Sequence, residues 1–350
     1  MYLYYLCFGV LLTFAIGKAT TETARYWAVS SILFLFAAIR GSEVDRDYIG
    51  YLDYYTNVLE HNFQNVEPSF ILLTELVGYF FGAPLILFVI YAGLGIFIKV
   101  FAINRLTNYR IMTLVLYYCS FYLIWEMTQI RAAVAGAIML LAIVPLAERK
   151  YFKYIVLSCI ASLFQYTALV MFLIVWINGV KLNRFAYALA IPAASVLWLS
   201  SISLTEFALL VPLELVQLKI RSSQSQAEYF NNPFNYIFVA RCLFAYVLLV
   251  YANYFSAQNR YFLLILKLYI VGLSFQVALF TVPGVASRLS EFFLVVEILL
   301  VPMLIGLFRE RAVGYFVVCA IAVMLLISSI QGTELLNPYQ VNKSLTTGLI

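Results

Sequence analysis

Long apolar runs separated by short polar stretches recur along the whole chain. A helix needs roughly 20 apolar residues to cross the hydrocarbon core of a bilayer. Ten runs predict such helices: 2–17, 24–39, 85–103, 110–127, 130–146, 185–203, 236–255, 262–281, 288–308 and 313–330. Two further segments, 68–83 and 152–178, are ambiguous. The pattern predicts an all-α polytopic membrane protein with about 11–13 transmembrane or re-entrant helices.

The composition agrees with this pattern. Hydrophobic residues make up 64% of the chain and charged residues 11%, whereas a soluble domain carries about 25% charged residues. The longest polar stretches, near 40–67 and 219–235, leave no room for a soluble domain. No basic region precedes the run 2–17, which we therefore interpret as a helix and not as a signal peptide. We expect one integral membrane domain over 1–350.

Several classes of chemistry lack the residues they need. The five cysteines lie singly in apolar runs without CxxC spacing, and His61 is the single histidine. A histidine metal site or a Ser/His/Asp triad therefore has little to build on. No Walker loop or GxGxxG is present, so nothing indicates nucleotide binding. We predict no metal, no cofactor and no nucleic-acid partner.

Basic residues predict the orientation, because short loops rich in lysine and arginine stay in the cytoplasm. The clusters are Lys18/Arg25, Arg105/Arg110, Arg149/Lys150/Lys153, Lys181/Arg184, Arg260 and Arg309/Arg311. Placing all these clusters in the cytoplasm requires two conditions. Segment 68–83 must not cross the membrane fully, and segment 152–178 must enter the membrane and return to the side it came from. The second condition predicts two half-helices, each about 20 Å long, with a tip near Gln165. The alternative, one tilted helix over 152–178, places Lys181 and Arg184 outside.

On this path the outer face receives the 40–67 loop, the 204–235 loop and the tail from about residue 331. Fourteen of the twenty-two basic residues then fall inside and eight outside. Six of the outer eight are arginines: Arg40, Arg46, Arg131, Arg221, Arg241 and Arg288. The guanidinium fork matches phosphate oxygens better than an ammonium group does. This bias predicts an anion site on the outer face. The alternative is that each arginine pairs with a nearby carboxylate or reaches the lipid headgroups.

Local patterns add detail to the outer face. The segment WEMTQIRAA brings Glu126, Gln129 and Arg131 close together at the start of a helix, whose dipole favours an anion. The stretch with Lys219 and Arg221 predicts an amphipathic helix on the outer surface, either part of a site or an ordinary interfacial helix. Tyrosines near helix ends are typical of the interfacial belt, and their faces are also platforms for sugar rings.

The segment RGSEVDRDYIGYLDYY, followed by EPSF, resembles the opening motif of the EpsG family of bacterial exopolysaccharide polymerases. The resemblance continues through QIRAAVAGAIMLLA, ERKYFKYIVLSCIASLFQYTALVMF and ASRLSEFFLVVEILLVPML, over about residues 38–305. The family is similar to the Wzy polymerases of O-antigen and capsule synthesis. The resemblance implies the membrane architecture of GT-C-like polysaccharide polymerases.

The activity that the resemblance implies is a metal-independent glycosyl transfer on the periplasmic face of the bacterial inner membrane. A growing glycan would pass from undecaprenyl diphosphate to a lipid-linked repeat unit, in O-antigen, capsule or exopolysaccharide synthesis. The implied partners are the lipid-linked donor and acceptor, membrane lipids and, as a further candidate, a chain-length regulator. Two alternatives stay open: a flippase or transporter of lipid-linked oligosaccharides, and an O-antigen ligase.

The resemblance also assigns roles to residues. Arg46, Arg131, Arg221, Arg241 and Arg288 are candidates for neutralising the diphosphate leaving group. Asp45 or Asp47 is the candidate base for the acceptor hydroxyl, and Glu67, Glu126 and Glu291 are candidates for orienting these groups. The best matches to the family motif are Arg40, Asp47, Tyr48, Glu67, Arg131 and Arg288. Gln165 stands where members often carry a histidine, and a glutamine can bind a sugar or phosphate but cannot act as a base.

Overall fold

The structure is a computed structural model that describes residues 1–17, 21–63, 66–177, 181–199, 234–332 and 336–342. Its elements are helices, and the all-α prediction is confirmed. In chain order they are α1 (Tyr2–Ile16), α2 (Glu22–Ala38), α3 (Asp47–Leu59), α4 (Pro68–Phe80), α5 (Pro84–Leu106), α6 (Arg110–Trp125), α7 (Ile130–Ala147), α8 (Tyr151–Phe164), α9 (Met171–Ile174), α10 (Arg184–Leu199), α11 (Tyr236–Val250), α12 (Ala252–Gln258), α13 (Phe262–Ala278), α14 (Pro283–Leu307) and α15 (Arg311–Gly332).

Four of these helices, α5, α7, α14 and α15, are long and apolar enough to cross a membrane. Helices α11 and α12 bend by 76° at Tyr251 and form a fifth candidate if they are one span. Six shorter apolar helices of 10–17 residues accompany them. Each apolar segment named from the sequence contains a helix, and the chain is a multi-pass membrane protein. Within α6, Tyr118–Tyr122 forms a π-helical turn.

Of the two ambiguous segments, 68–83 contains a short helix and 152–178 is interrupted. Helix α4 has 13 residues, which is about 20 Å and too short for a core of about 30 Å. Proline starts it at Pro68, and Gly82 follows it with φ +66. Helix α8 ends at Phe164, and the chain continues from Tyr166 as a 3₁₀ helix. The short length of 68–83 is confirmed, and the helix of 152–178 breaks at Gln165. A five-residue 3₁₀ helix and the four-residue α9 follow this break in place of the second predicted half-helix. That 152–178 enters the membrane and returns stays a prediction.

The chain divides into two compact units. The first unit comprises Met1–Val144, Phe152–Leu169 and Val301–Ile350, and the second comprises Pro145–Tyr151 and Val170–Leu300. In the first unit α2 packs on α5 and α6, and α3 and α4 pack together against α5. In the second, α13 packs between α10 and the start of α14. Gly272 allows this close approach, because a Cβ there would lie 2.9 Å from Phe293 Cβ. The assignment of 1–350 to one domain stays a prediction.

Residues 336–342, which we name the C-terminal strap, lie against the segment that leaves α2. Backbone hydrogen bonds run from Gly41 to Gln340, from Asn342 to Ile39 and from Asn337 to Val44. Tyr339 stacks on Phe36 with ring centroids 4.2 Å apart. The tail and the 40–67 segment therefore lie together, as expected for segments on a common face. Which side of the membrane this face occupies stays a prediction.

Deleting the C-terminal strap is expected to loosen the segment 39–46. A chain that ends at residue 335 loses the three backbone hydrogen bonds, each contributing about 1 kcal/mol. Local opening should then be easier, and trypsin should cut after Arg40 and Arg46 about tenfold faster or more. Limited proteolysis of the detergent-solubilised protein measures this rate. A chain that ends at Asn342 keeps the strap and is the matched control; equal rates for the two would contradict the expectation.

Candidate functional site

A buried ion pair joins two of the residues predicted from the sequence. Glu67 is the N-cap residue of α4, yet its side chain makes no capping bond. Its carboxylate accepts instead from Arg131 at the start of α7. The Glu67 side chain is 4% exposed and that of Arg131 is 17% exposed. The pair therefore reaches the surface through the arginine, and each partner offsets the cost of burying the other's charge.

Aromatic rings surround the guanidinium of Arg131. Its central carbon lies 5.4 Å from the ring centroids of Tyr51 and Tyr54 on α3, and 5.8 Å from that of Phe70 on α4. Cations are attracted to such faces, and more strongly where water is excluded. The spacing within the helices explains the arrangement: Tyr51 and Tyr54 are three residues apart and share one face of α3. We name Glu67, Arg131 and these three rings the arginine cage.

Buried hydrogen-bonding groups without a well-placed partner lie near the Glu67–Arg131 pair. The hydroxyls of Ser69 and Tyr91 and the Nε atom of Arg131 are buried without a hydrogen bond of good geometry, although the two hydroxyls are close enough to interact with each other as donor and acceptor. Tyr91 lies within electrostatic range of Arg131, Tyr51 and Glu67. Buried polar groups normally have partners. Burial also raises the pKa of Tyr51, while the charge of Arg131 and a hydrogen bond to it oppose this rise.

The interruption after α8 lies beside the arginine cage. Tyr166 is within electrostatic range of Glu67 and Arg131, and the Phe164 ring meets the edge of Tyr91 at 6.1 Å. Gln165, which connects these two residues, is half-buried. The structure thus brings the predicted tip of the 152–178 segment to the residues of the EPSF and QIRAA motifs.

A second ion pair fixes the polar segment before α3. Arg40 Nε donates to Asp45 Oδ2 at 3.0 Å, and both side chains are fully buried. The other oxygen of Asp45 accepts from the backbone N–H of Asp47 at 3.1 Å. Burial raises the pKa of Asp45, and the Arg40 charge opposes this rise. In this arrangement Arg40 and Asp45 hold the start of α3, while Arg46 and Asp47 are exposed.

Tyr48 also helps to hold the start of α3. Its ring stacks on Phe88 with centroids 4.1 Å apart, and Arg40 lies 5.7 Å from its centroid. Its hydroxyl accepts from Asn342 of the strap at 3.0 Å. Tyr48 therefore joins α3, α5 and the C-terminal strap, and it positions the helix that carries Tyr51 and Tyr54.

Glu126 pairs with Lys99 and not with Arg131, in contrast to the grouping expected from WEMTQIRAA. Lys99 Nζ donates to Glu126 Oε1 at 2.8 Å and to the Ala133 carbonyl at 2.6 Å. The Tyr117 hydroxyl donates to the same carboxylate oxygen at 2.8 Å. Lys99 thus binds both sides of the turn between α6 and α7, and Arg131 lies in the first turn of α7. The Lys99–Glu126 pair therefore helps to position Arg131 in the arginine cage.

In the second unit, Arg241 of α11 pairs with Glu297 of α14, with Nε and Oε2 2.9 Å apart. Glu291 and Tyr269 lie within electrostatic range of this arginine. Arg288 is exposed on α14, and within the described ranges it makes no ion pair. Arg221, together with Lys219 and the predicted amphipathic helix, lies outside the described residues.

Three of the six arginines predicted for the outer face form ion pairs in the structure, and the shared anion site stays a prediction. Arg40, Arg131 and Arg241 each pair with a carboxylate, as the alternative interpretation expected.

Sequence reasoning did not single out Lys99, Ser69 or Tyr91. A lysine inside the run 85–103 is itself a signal, because a charge within a span is costly unless it is paired or used. The hydroxyls carry no such signal.

The fold and the site define a polytopic membrane protein with buried ion pairs and an aromatic, partly open polar site. The sequence profile of the EpsG family matches residues 25–341, and the chain belongs to this family. Membership links it to exopolysaccharide synthesis. No curated protein and no solved structure matches the chain. Among the described residues, no group of three or more His, Cys, Asp or Glu side chains is arranged to hold a metal ion.

Proposed function

We propose that the protein is a polysaccharide polymerase that works on lipid-linked repeat units at the outer face of a bacterial inner membrane. The observation that carries the proposal is the arginine cage, built from the EPSF, DYIGYLDYY and QIRAA motifs of a chain that belongs to the EpsG family. Aromatic faces beside an arginine and a carboxylate suit a glycan, and the cage is partly open at Arg131 and Tyr54.

The proposed reaction is a glycosyl transfer that needs no nucleotide sugar. A hydroxyl oxygen of the acceptor repeat unit attacks the anomeric carbon of the donor glycan. The bond from that carbon to the lipid diphosphate breaks, and the diphosphate leaves with the electron pair. A carboxylate takes the proton of the attacking hydroxyl. Cationic groups that meet the diphosphate lower the barrier by stabilising the charge that develops on it.

The geometry favours Asp47 over Asp45 as the base. Both oxygens of Asp45 already accept hydrogen bonds, and its side chain is fully buried. Asp47 is exposed at the start of α3 and lies within electrostatic range of Tyr51 in the arginine cage. Arg46 and Arg288 are exposed, and we propose each of them, independently of the other, as a candidate to bind a diphosphate. Arg40 and Tyr48 support α3, and Glu126 supports the start of α7.

Deleting the gene in the producing strain is expected to leave glycans of a single repeat unit, because export continues while polymerisation stops. Gel separation of the surface glycans and analysis of lipid-linked units by mass spectrometry measure this. Accumulation of unexported lipid-linked units would instead identify a flippase or transporter. Full-length polymer that stays on its lipid carrier would identify a ligase. Complementation with the Arg288→Ala variant, compared with an Arg311→Ala control, then tests the diphosphate role.

A further inference from the structure

The charges of the arginine cage cancel. The carboxylate of Glu67 neutralises Arg131, and the remaining polar groups are the hydroxyls of Tyr51 and Tyr54 in the cage and of Ser69 and Tyr91 beside it. A lipid diphosphate would meet the carboxylate of Glu67 as well as the cation, and like charges repel. The net charge therefore favours an uncharged ligand at this place, although an isolated arginine would favour an anion.

The unused hydrogen-bonding groups indicate the kind of uncharged ligand. Nε of Arg131 is a donor only, whereas the hydroxyls of Ser69 and Tyr91 both donate and accept. All three are buried without a good hydrogen bond, and Ser69 and Tyr91 are 8% and 0% exposed. A ligand that only accepts can satisfy the donors of this set, whereas a ligand that also donates can use the lone pairs of the two hydroxyls as well. Phosphate oxygens only accept, but the hydroxyls of a sugar do both.

The aromatic rings supply flat surfaces at the opening of the cage. Tyr54 is half-buried on α3, and Tyr166 is 41% exposed beside Glu67 and Arg131. A sugar ring presents apolar C–H faces that pack on such rings, with its hydroxyls directed to the polar groups around the edge. Half-buried Gln165, adjacent to Tyr166, adds an amide that can donate and accept.

We infer that the arginine cage binds an uncharged sugar ring of the repeat unit, with Ser69 and Tyr91 hydrogen-bonding its hydroxyls and Tyr54 packing on its face. The lipid diphosphate binds elsewhere. Arg131 acts as a ligand of the glycan and an anchor for Glu67, and it is not the residue that neutralises the leaving group. This inference rests on the proposed function, because it specifies which part of the lipid-linked substrate the cage recognises.

The test measures binding and not turnover, so that it is independent of whether the protein polymerises. The probe is the repeat-unit oligosaccharide released from its lipid diphosphate by mild acid, titrated into the full-length protein in nanodiscs by calorimetry. We expect binding to the wild type, a loss of several-fold in affinity for Ser69→Ala, and a loss of about tenfold or more for Tyr54→Ala. Inorganic pyrophosphate, titrated in parallel, should give the same result for these variants as for the wild type.

Matched variants separate recognition from folding. Tyr54→Phe keeps the ring and should retain most of the affinity, and Tyr79→Ala removes a tyrosine of α4 that is 84% exposed and should change nothing. Oligosaccharide that fails to bind the wild type, or binds all variants equally, would overturn the inference. A parallel loss of pyrophosphate affinity in Ser69→Ala or Tyr54→Ala would overturn it too, because the cage would then be a diphosphate site. Failure of the proposed function appears separately, as an unchanged glycan pattern after gene deletion.

Discussion

Replacing Arg131 with alanine is expected to stop polymer formation, with a fall in rate of about 100-fold or more, the size expected when the substrate is no longer held in the reactive position. The variant loses the guanidinium that lies against Tyr51, Tyr54 and Phe70 and leaves Glu67 buried without its cation. Purified lipid-linked repeat units, incubated with the protein in nanodiscs and resolved by gel electrophoresis, measure the rate.

Two comparisons separate function from folding in this experiment. Arg260 forms an exposed ion pair with Glu148 at 3.5 Å, and exposed pairs contribute about 0–1 kcal/mol, so Arg260→Ala should polymerise normally. The double variant Glu67→Gln with Arg131→Gln removes both charges and leaves no unpaired ion in the interior. It should remain folded but inactive. Wild-type rates in Arg131→Ala or in the double variant would show that the cage takes no part in the reaction.

Replacing Lys99 with methionine is expected to destabilise the protein by about 3–5 kcal/mol, the cost of leaving one partner of a buried ion pair alone. Glu126 would keep the Tyr117 hydroxyl but lose its cation, and the Ala133 carbonyl would lose its donor. Unfolding of the detergent-solubilised protein by titration with SDS measures this change. Because Lys99 holds the turn before α7, the polymerisation rate should fall with stability.

The double variant Lys99→Met with Glu126→Leu is the matched comparison for this pair. Apolar side chains in place of both charges should restore most of the stability. A second comparison uses two glycines of α5. A Cβ at Gly95 would lie 2.5 Å from Glu126 Oε2, whereas one at Gly93 would meet Phe34 at an ordinary 3.6 Å. Gly95→Ala should therefore destabilise and Gly93→Ala should not. A single Lys99 variant as stable as the wild type would contradict the assigned role of the pair.

Much of the fold follows from the sequence because hydrophobic length is a local property. The runs around α5, α7, α14 and α15 are long enough to cross a membrane, and each is a helix in the structure. The short length of α4 and the interruption at Gln165 were also predictable, from the Gly/Pro break after 68–83 and the charge clusters on either side of 152–178. The π-helical turn in α6 and the bend at Tyr251 were not, because no proline marks either position.

The candidate site was predictable only in part. The motifs singled out Glu67 and Arg131, and the basic clusters predicted that Arg131 lies on the outer face, which stays a prediction. Their partnership was not predicted, since the two residues are 64 positions apart and Glu126 is much nearer to Arg131 in the chain. Helix packing reversed that expectation: α5 presents Lys99 to Glu126, and α4 presents Glu67 to Arg131.

The sequence was sufficient to predict that this protein is helical, crosses the membrane several times and belongs to the EpsG family, because hydrophobic length and short motifs are local properties of the chain. Only the tertiary structure shows which charged side chains form ion pairs with each other. An arginine at the end of an apolar run gives the same sequence pattern whether its side chain contacts a phosphate or a buried carboxylate. The distinction depends on which helices pack beside it, and beside Arg131 they place Glu67 and the rings of Tyr51, Tyr54 and Phe70.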